Sequence, residues 1–190
     1  MRHIVDILIE ERATKLMKSP RVWSFVQTRL YPYLKYQEAK ELIDHVTPLE
    51  GKEIFDHLGK LLNLNLKATG LKNIPASGRA ILMPNHPSGI ADGVAVYEAI
   101  KSVRQDIKFF ANRDAVRCAP TLEDIIIPVE WMENRRDHTK SKETVKSMIQ
   151  AFKEEKLIVI FASGKLARPT PLGLIAVSYT HLTLPTKRIV

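Results

Sequence analysis

A chain of 190 residues, 45% hydrophobic and 26% charged, has the make-up of one ordinary globular domain with a core of its own, which excludes a disordered or fibrous class. Twenty-nine Lys and Arg against 21 Asp and Glu leave a formal charge of +8, a balance that suits acidic lipid headgroups, phosphate groups, acidic carrier proteins or nucleic acid without choosing among them. One cysteine, Cys118, excludes an intramolecular disulfide, no apolar run approaches the roughly 20 residues of a spanning helix, and the start lacks the apolar core of a signal peptide, so the expectation is a cytoplasmic protein.

The first 62 residues read as a helical segment. Ile4, Leu8, Ala13, Leu16 and Met17 follow helical spacing, Ser19-Pro20 interrupts it, and Val22 to Leu30 resumes it. Two further helices are expected over Ala39–Val46 and Gly51–Leu62. Trp23, Phe25, Tyr31 and Tyr33 stand among Arg21, Arg29 and Lys35. Such a cluster suits the headgroup zone of a bilayer, and equally a helical cap whose aromatics fill a core. From residue 63 to 176 the character is α/β: strands at Leu64–Thr69, Arg79–Met83, Asp106–Ala111, Ile125–Val129 and Leu157–Phe161, and helices at Val94–Arg104 and Lys142–Lys156, the latter with Val145, Met148, Ile149 and Phe152 on one face. This alternation argues a mixed, partly parallel sheet flanked by helices. Arg135 to Lys142 reads as a basic loop.

The stretch with chemistry in it is Asn85-His86-Pro87-Ser88-Gly89-Ile90-Ala91-Asp92-Gly93. A strand delivers a histidine into a Pro-Ser-Gly turn, and six residues later an aspartate stands at the mouth of a helix. A loop of this length can fold back so that Asp92 holds one imidazole nitrogen of His86 and the other faces a cleft as an acceptor, the arrangement of a general base. The same residues also suit a strand-end histidine and a helix-capping aspartate; spacing alone leaves both readings open.

That string resembles the His-Asp block of the glycerolipid acyltransferases, the lysophosphatidate acyltransferase-like superfamily. Most members of that superfamily have four residues between the His and the Asp; here five stand between His86 and Asp92, as in its hemolysin-like or ornithine-lipid branch. Lys108 to Ala115 is similar to the second block of that family, and Ile158 to Arg168 to the third, with Ala162 in place of the usual proline, Ser163 before Gly164, and Lys165 after it. The resemblance covers residues 64 to 175. It implies acyl transfer from acyl-CoA or acyl carrier protein to a lysophospholipid or glycerol-phosphate-type acceptor, by direct attack, with His86 as base and Asp92 as its orienter. It further implies no resident cofactor or metal, no nucleic-acid partner, and peripheral work on anionic lipid at the inner face of a membrane. Oligomeric state is not legible.

Candidate substrate contacts follow. The backbone N–H groups of Ser88 and Gly89 could face an oxyanion, and Asn85 would shape the turn. Asn112 and Arg113 of the second block and Arg168 after the third are candidates for an acceptor phosphate or carboxylate, since a guanidinium fork matches either anion; a surface arginine is the alternative for each. Ser163 and Gly164 follow a strand where a turn can approach a ligand. N-acylation of an amino-acid lipid, and a non-catalytic basic protein that binds membrane or nucleic acid, are the alternative functions. Asp44-His45 and Asp56-His57 lack a third ligand at metal spacing, and Cys118 has no histidine near it in sequence.

Val177 to Thr186 translates a common transposase sequencing adapter, and residues 177–190 are therefore expected to be foreign read-through, with a natural C-terminal strand as the alternative. On that expectation the natural chain continues differently beyond Ala176, and the fourth block of the resembled family lies there.

Overall fold

The computed structural model describes residues 2–130, 132, 137–161, 168–170 and 173–175. The chain begins as a run of short helices: α1 (Ile4–Arg12), α2 (Thr14–Met17), α3 (Pro20–Phe25), a π-helical turn at Val26–Leu30, and α4 (Tyr31–Tyr33). Pro20 opens α3, where its missing N–H removes no helical hydrogen bond. None of these elements buries a residue. The longer α5 (Tyr36–Val46) and α6 (Gly51–Leu62) follow. Both ends of α6 fall where the sequence places them, because each is chemically specified. Glu50 and Glu53 form a reciprocal capping box, and Asn63 closes the helix in the left-handed region at φ 44°.

Leu64–Thr69 is not a strand. The Leu66 N–H donates to the Leu64 carbonyl at 3.1 Å, a tight local turn that engages a group a ladder would need. The alternation of Leu64, Leu66 and Ala68 belongs instead to irregular chain in which Leu64 rests on the core and Leu66 is exposed.

The sheet is built from β1 (Ala80–Leu82), β2 (Ile107–Asn112), β3 (Ile126–Val129) and β4 (Leu157–Val159), in the order β1-β4-β2-β3. Every pairing in it is parallel. Antiparallel pairing occurs only between β5 (Arg168–Thr170) and β6 (Gly173–Ile175), among the described residues. The α/β class is as expected. α7 (Ile90–Ile100) connects β1 to β2, α8 (Arg113–Cys118) connects β2 to β3, and α9 (His138–Lys153) connects β3 to β4.

Alternate strand residues point to opposite faces, and each face has its own cover. Ile107, Phe109, Leu157 and Val159 share a core with Val94, Tyr97 and Ile100 of α7 and with Val46, Ile54 and Phe55 of α5 and α6. Ile127 and Ile158 turn the other way, onto Met148, Ala151 and Phe152 of α9. Val145 and Ile149, expected on the inward face of that helix, are exposed. The helix also starts earlier than its apolar spacing indicates, because the Asp137 carboxylate accepts from the Lys140 N–H at 2.7 Å and caps it. The basic run read as a loop is therefore helical from His138 onward.

At the amino end of the sheet the Arg104 side chain is fully buried. Its guanidinium donates to both oxygens of Asp106 at 2.8 and 2.6 Å, to the Pro75 and Gly78 carbonyls at 3.2 and 2.6 Å, and to the Glu155 carbonyl at 2.8 Å. Glu155 is held in the left-handed region at φ 57° where α9 turns into β4. One side chain thus ties together the turn before β1, the start of β2 and the start of β4. Its hydrogen bonds hold the Asp106 carboxyl below the ordinary carboxylate range.

Truncating Arg104 leaves a carboxylate and three carbonyls without their donor. Arg104→Ala is expected to lower the unfolding free energy by about 3–5 kcal/mol in urea titration. Arg104→Lys should recover only part of it, since one ammonium cannot span the same acceptors. Because the folded-state pKa of Asp106 is depressed, its contribution is present above the unfolded value of about 3.9 and fades as pH falls through the lower folded value. Asp106→Asn should accordingly flatten the acid limb of the stability curve.

Candidate active site

The segment Met83–Gly89 leaves the carboxyl end of β1 and enters α7. Gly89 sits at φ 78°, ψ −125°, a region open to glycine and costly for any residue with a Cβ. This turn lays the loop over the first turn of α7. There a single oxygen of Asp92, Oδ2, accepts three hydrogen bonds: from the Ser88 N–H at 2.8 Å, the Gly89 N–H at 2.9 Å, and His86 Nδ1 at 3.0 Å. The helix begins at Ile90, four residues ahead of the expected Val94, because Asp92 serves the orphan N–H groups at its start.

An ionised carboxylate only accepts, so His86 carries a proton on Nδ1, and the neutral ring presents Nε2 as an acceptor. No described residue hydrogen-bonds that nitrogen. Phe161 stacks on the imidazole, with ring centroids 4.4 Å apart and planes inclined by 28°. The stacking follows from the register of β1 on β4: Leu82 lies opposite Val159, and the Ile160 N–H donates to the Leu82 carbonyl at 2.9 Å. Residues just past each strand end therefore meet. Sequence reasoning missed the role of Phe161, because nothing in the linear pattern says that β4 is the neighbour of β1.

The other candidates separate. The Ser88 and Gly89 N–H groups point into Asp92, so in this arrangement they position the carboxylate and do not face an oxyanion. Asn85 is exposed beside His86. Asn112 ends β2, two strands from β1 and thus about 10 Å across the same carboxyl edge; its side chain accepts from the Asp114 N–H at 3.1 Å and caps α8. Arg113 donates through Nη2 to Glu143 of α9 at 3.0 Å. Its Nε is buried and, among the described residues, is the one such side-chain N or O atom without a hydrogen-bond partner. An unanswered buried donor costs about 1–3 kcal/mol, so an anionic oxygen arriving there gains more than a solvated arginine would give it. Ser163, Gly164 and Lys165 lie outside the described residues, as does the Arg168 side chain; the Arg168 backbone opens β5.

Burial pushes the Cys118 thiol up, which disfavours a thiolate nucleophile. No group of three or more His, Cys, Asp or Glu among the described residues could hold a metal ion. The His45 and His57 rings face each other at 4.6 Å, while Asp44 bonds to His3 and Asp56 to Lys101. Two concavities, one lined by Asp56, Lys60, Glu98 and Lys101 and the other by Lys52, Asp106, Lys108 and Lys156, lie away from His86. No described helix is long and apolar enough to cross a membrane.

Comparison with known proteins points the same way as the geometry. The family model described as Acyltransferase matches residues 65–186, which takes in the whole of the His86–Asp92 loop and runs past Ala176. Lyso-glycine lipid O-acyltransferases of Phocaeicola vulgatus and Bacteroides thetaiotaomicron are 22% and 20% identical over 156 residues, 80% of this chain. The chain spans about half the length of these relatives, 54% and 55%. No solved structure matches it.

If Asp92 organises the loop, then Asp92→Ala should speed hydrogen exchange of the Ser88 and Gly89 amides and cost about 1–3 kcal/mol for the donors it strands. Asp92→Asn, which keeps an acceptor oxygen in place, should leave those amides protected. Equal exchange in all three proteins would show that the carboxylate does not hold the loop.

Proposed function

Because the chain belongs to the Acyltransferase family, we propose that it moves a fatty acyl group from a thioester, acyl-CoA or acyl carrier protein, onto the hydroxyl of a lysolipid with an anionic headgroup. The observation that carries this reading is the His86 Nδ1 to Asp92 Oδ2 hydrogen bond of 3.0 Å with Nε2 left open. In the reaction His86 Nε2 takes the proton of the acceptor hydroxyl as its oxygen attacks the thioester carbonyl. The tetrahedral intermediate collapses with cleavage of the C–S bond, and the imidazolium returns the proton to the departing thiolate. Ester and free thiol are the products, and no acyl-enzyme forms. Asp92 stabilises the imidazolium and fixes its tautomer, the orienting role in a triad without a protein nucleophile. Donors other than the Ser88 and Gly89 N–H groups must serve the oxyanion.

On the acceptor side, the open Nε of Arg113 supports binding of a headgroup oxygen. Both phosphate and carboxylate present the oxygens that a guanidinium recognises. The names of the two relatives add an amino-acid lysolipid, O-acylated, to the phosphate-bearing acceptors expected from the sequence. In this reading Asn85 and Asn112 hold the backbone that frames the acceptor, Ser163 and Gly164 are further acceptor contacts, and Arg168 is a second anion contact. The chain needs no metal or resident cofactor and works peripherally, at the inner face of a membrane.

The test is thiol release by the protein expressed from its own gene, with acyl-CoA and acyl carrier protein donors and a panel of phosphate- and amino-acid-headgroup lysolipids. His86→Ala is expected to lower turnover by roughly 10² to 10⁴ with the fold retained. Arg113→Ala should raise KM for anionic acceptors more than it lowers kcat. A folded His86→Ala protein with wild-type turnover would sink the mechanism, and absence of release with every donor–acceptor pair would favour the non-catalytic binding reading.

A further inference from the structure

Residues 13–37 contain five Lys or Arg and no Asp or Glu. Lys15, Lys18, Arg21 and Arg29 make no ion pair among the described residues, and Lys35 pairs only with Glu38. Interleaved with these cations, Leu16, Val22, Leu30 and Leu34 are exposed, Phe25 is 58% exposed and Tyr33 83%. None of residues 13–37 is buried, so this aromatic cluster does not fill a core. Trp23 meets Tyr31 edge-on at 6.2 Å and Tyr31 stacks on Tyr36 at 4.3 Å, forming an inner aromatic row from which Phe25 and Tyr33 project.

We propose that residues 13–37 are a docking surface for bilayers that contain anionic lipid, with Phe25, Tyr33 and Leu34 entering the headgroup–acyl boundary and the unpaired cations meeting the lipid phosphates. The charge pattern selects this occupant. A protein partner of ordinary composition would bring cations of its own against a surface with no acid to receive them, whereas an anionic leaflet offers one sign of charge above an apolar layer. Aromatic and aliphatic tips between cations match that layering. The surface also lies close to the proposed site. Arg12, directly before it, pairs with Asp114, and Arg117 forks onto Glu11 with both contacts at 2.8 Å, so the segment leaves the body beside the first turn of α8, next to Arg113. This inference rests on the peripheral-membrane part of the proposed function, for which it supplies the surface, and it uses none of the catalytic residues.

Flotation of the whole chain with vesicles of phosphatidylcholine alone, or of phosphatidylcholine with phosphatidylglycerol, tests it without any assay of activity. Binding should favour the anionic vesicles and fall away toward 1 M salt, where the screening length shrinks to about 3 Å. Arg21→Ser with Arg29→Ser should weaken anionic-vesicle binding on the order of fivefold per cation, about 25-fold together. Phe25→Ser with Leu34→Ser should weaken partition into both vesicle types. All four positions are exposed, so circular dichroism should show an unchanged fold. Equal flotation with neutral and anionic vesicles, or variants that float as the wild type does, would overturn the proposal. So would a dimer that Phe25→Ser with Leu34→Ser converts to monomer while vesicle binding persists, which would assign the surface to a second copy of the chain.

Discussion

Three hydrogen bonds converging on Asp92 Oδ2 set the geometry of the loop at the carboxyl end of β1. The carboxylate occupies the first turn of α7, where the helix N-terminus favours negative charge. From there it engages the N–H of the residue that precedes the helix, the N–H before that, and the imidazole. The start of the helix, the path of the loop and the tautomer of His86 are consequences of one atom's position. Capping of the helix and a hold on the histidine, which the spacing of His86 and Asp92 presents as alternatives, are the same arrangement: the aspartate that caps α7 also hydrogen-bonds the imidazole.

The opposite end of the sheet is organised by a different device. Arg104 draws the turn at Pro75–Gly78, Asp106 of the β2 approach and the Glu155 turn onto one buried guanidinium. Parallel strands force this separation. All four begin at one edge and end at the other, so loops that carry chemistry gather at the carboxyl ends while closure of the chain is settled at the amino ends. A charge buried at the amino edge is tolerable because every donor it presents there is answered. At the carboxyl edge, by contrast, the buried Arg113 Nε has no hydrogen-bond partner among the described residues, and on that asymmetry rests its proposed role toward an anionic headgroup.

Much of this was legible in the sequence, for reasons that can be stated residue by residue. The extent of α6 is written in Glu50, Glu53 and Asn63, three residues whose capping chemistry is local. The strands at Ile107 and Ile126 announce themselves as short, largely apolar runs, the first buried on one face and the second buried on both at its start. The start of α7 was not legible, since it depends on a carboxylate folding back over a glycine with positive φ. Nor was the absence of a strand at Leu64–Thr69, where apolar alternation is present but the backbone closes on itself. Phe161 became part of the site only through strand order, which no local pattern encodes. The aromatics of residues 23–33 were ambiguous because core-filling and interfacial segments share a composition; that none of them is buried is visible only in the fold.

The placement of that N-terminal surface rests on charge, not on apolar packing. Elements α1 to α4 bury no residue, so the hydrophobic effect does little to fix them against the domain. Two sets of polar contacts hold them: Asp6 accepts from Tyr36 and Lys40 and His3 meets Asp44 on α5, and a partly buried network has Arg12 and Arg117 converge on Asp114 while Arg117 also takes Glu11. Burial alone would raise the Asp114 carboxyl, yet the hydrogen bonds from Arg12 and Arg117 outweigh it and keep that group below its ordinary value, while Glu11 above all raises Arg117. Asp114 and Arg117 therefore stay charged at neutral pH. α8 is the element through which the two halves communicate: Arg113 at its first position faces the carboxyl edge, and Asp114 and Arg117 carry the segment that would meet the lipid.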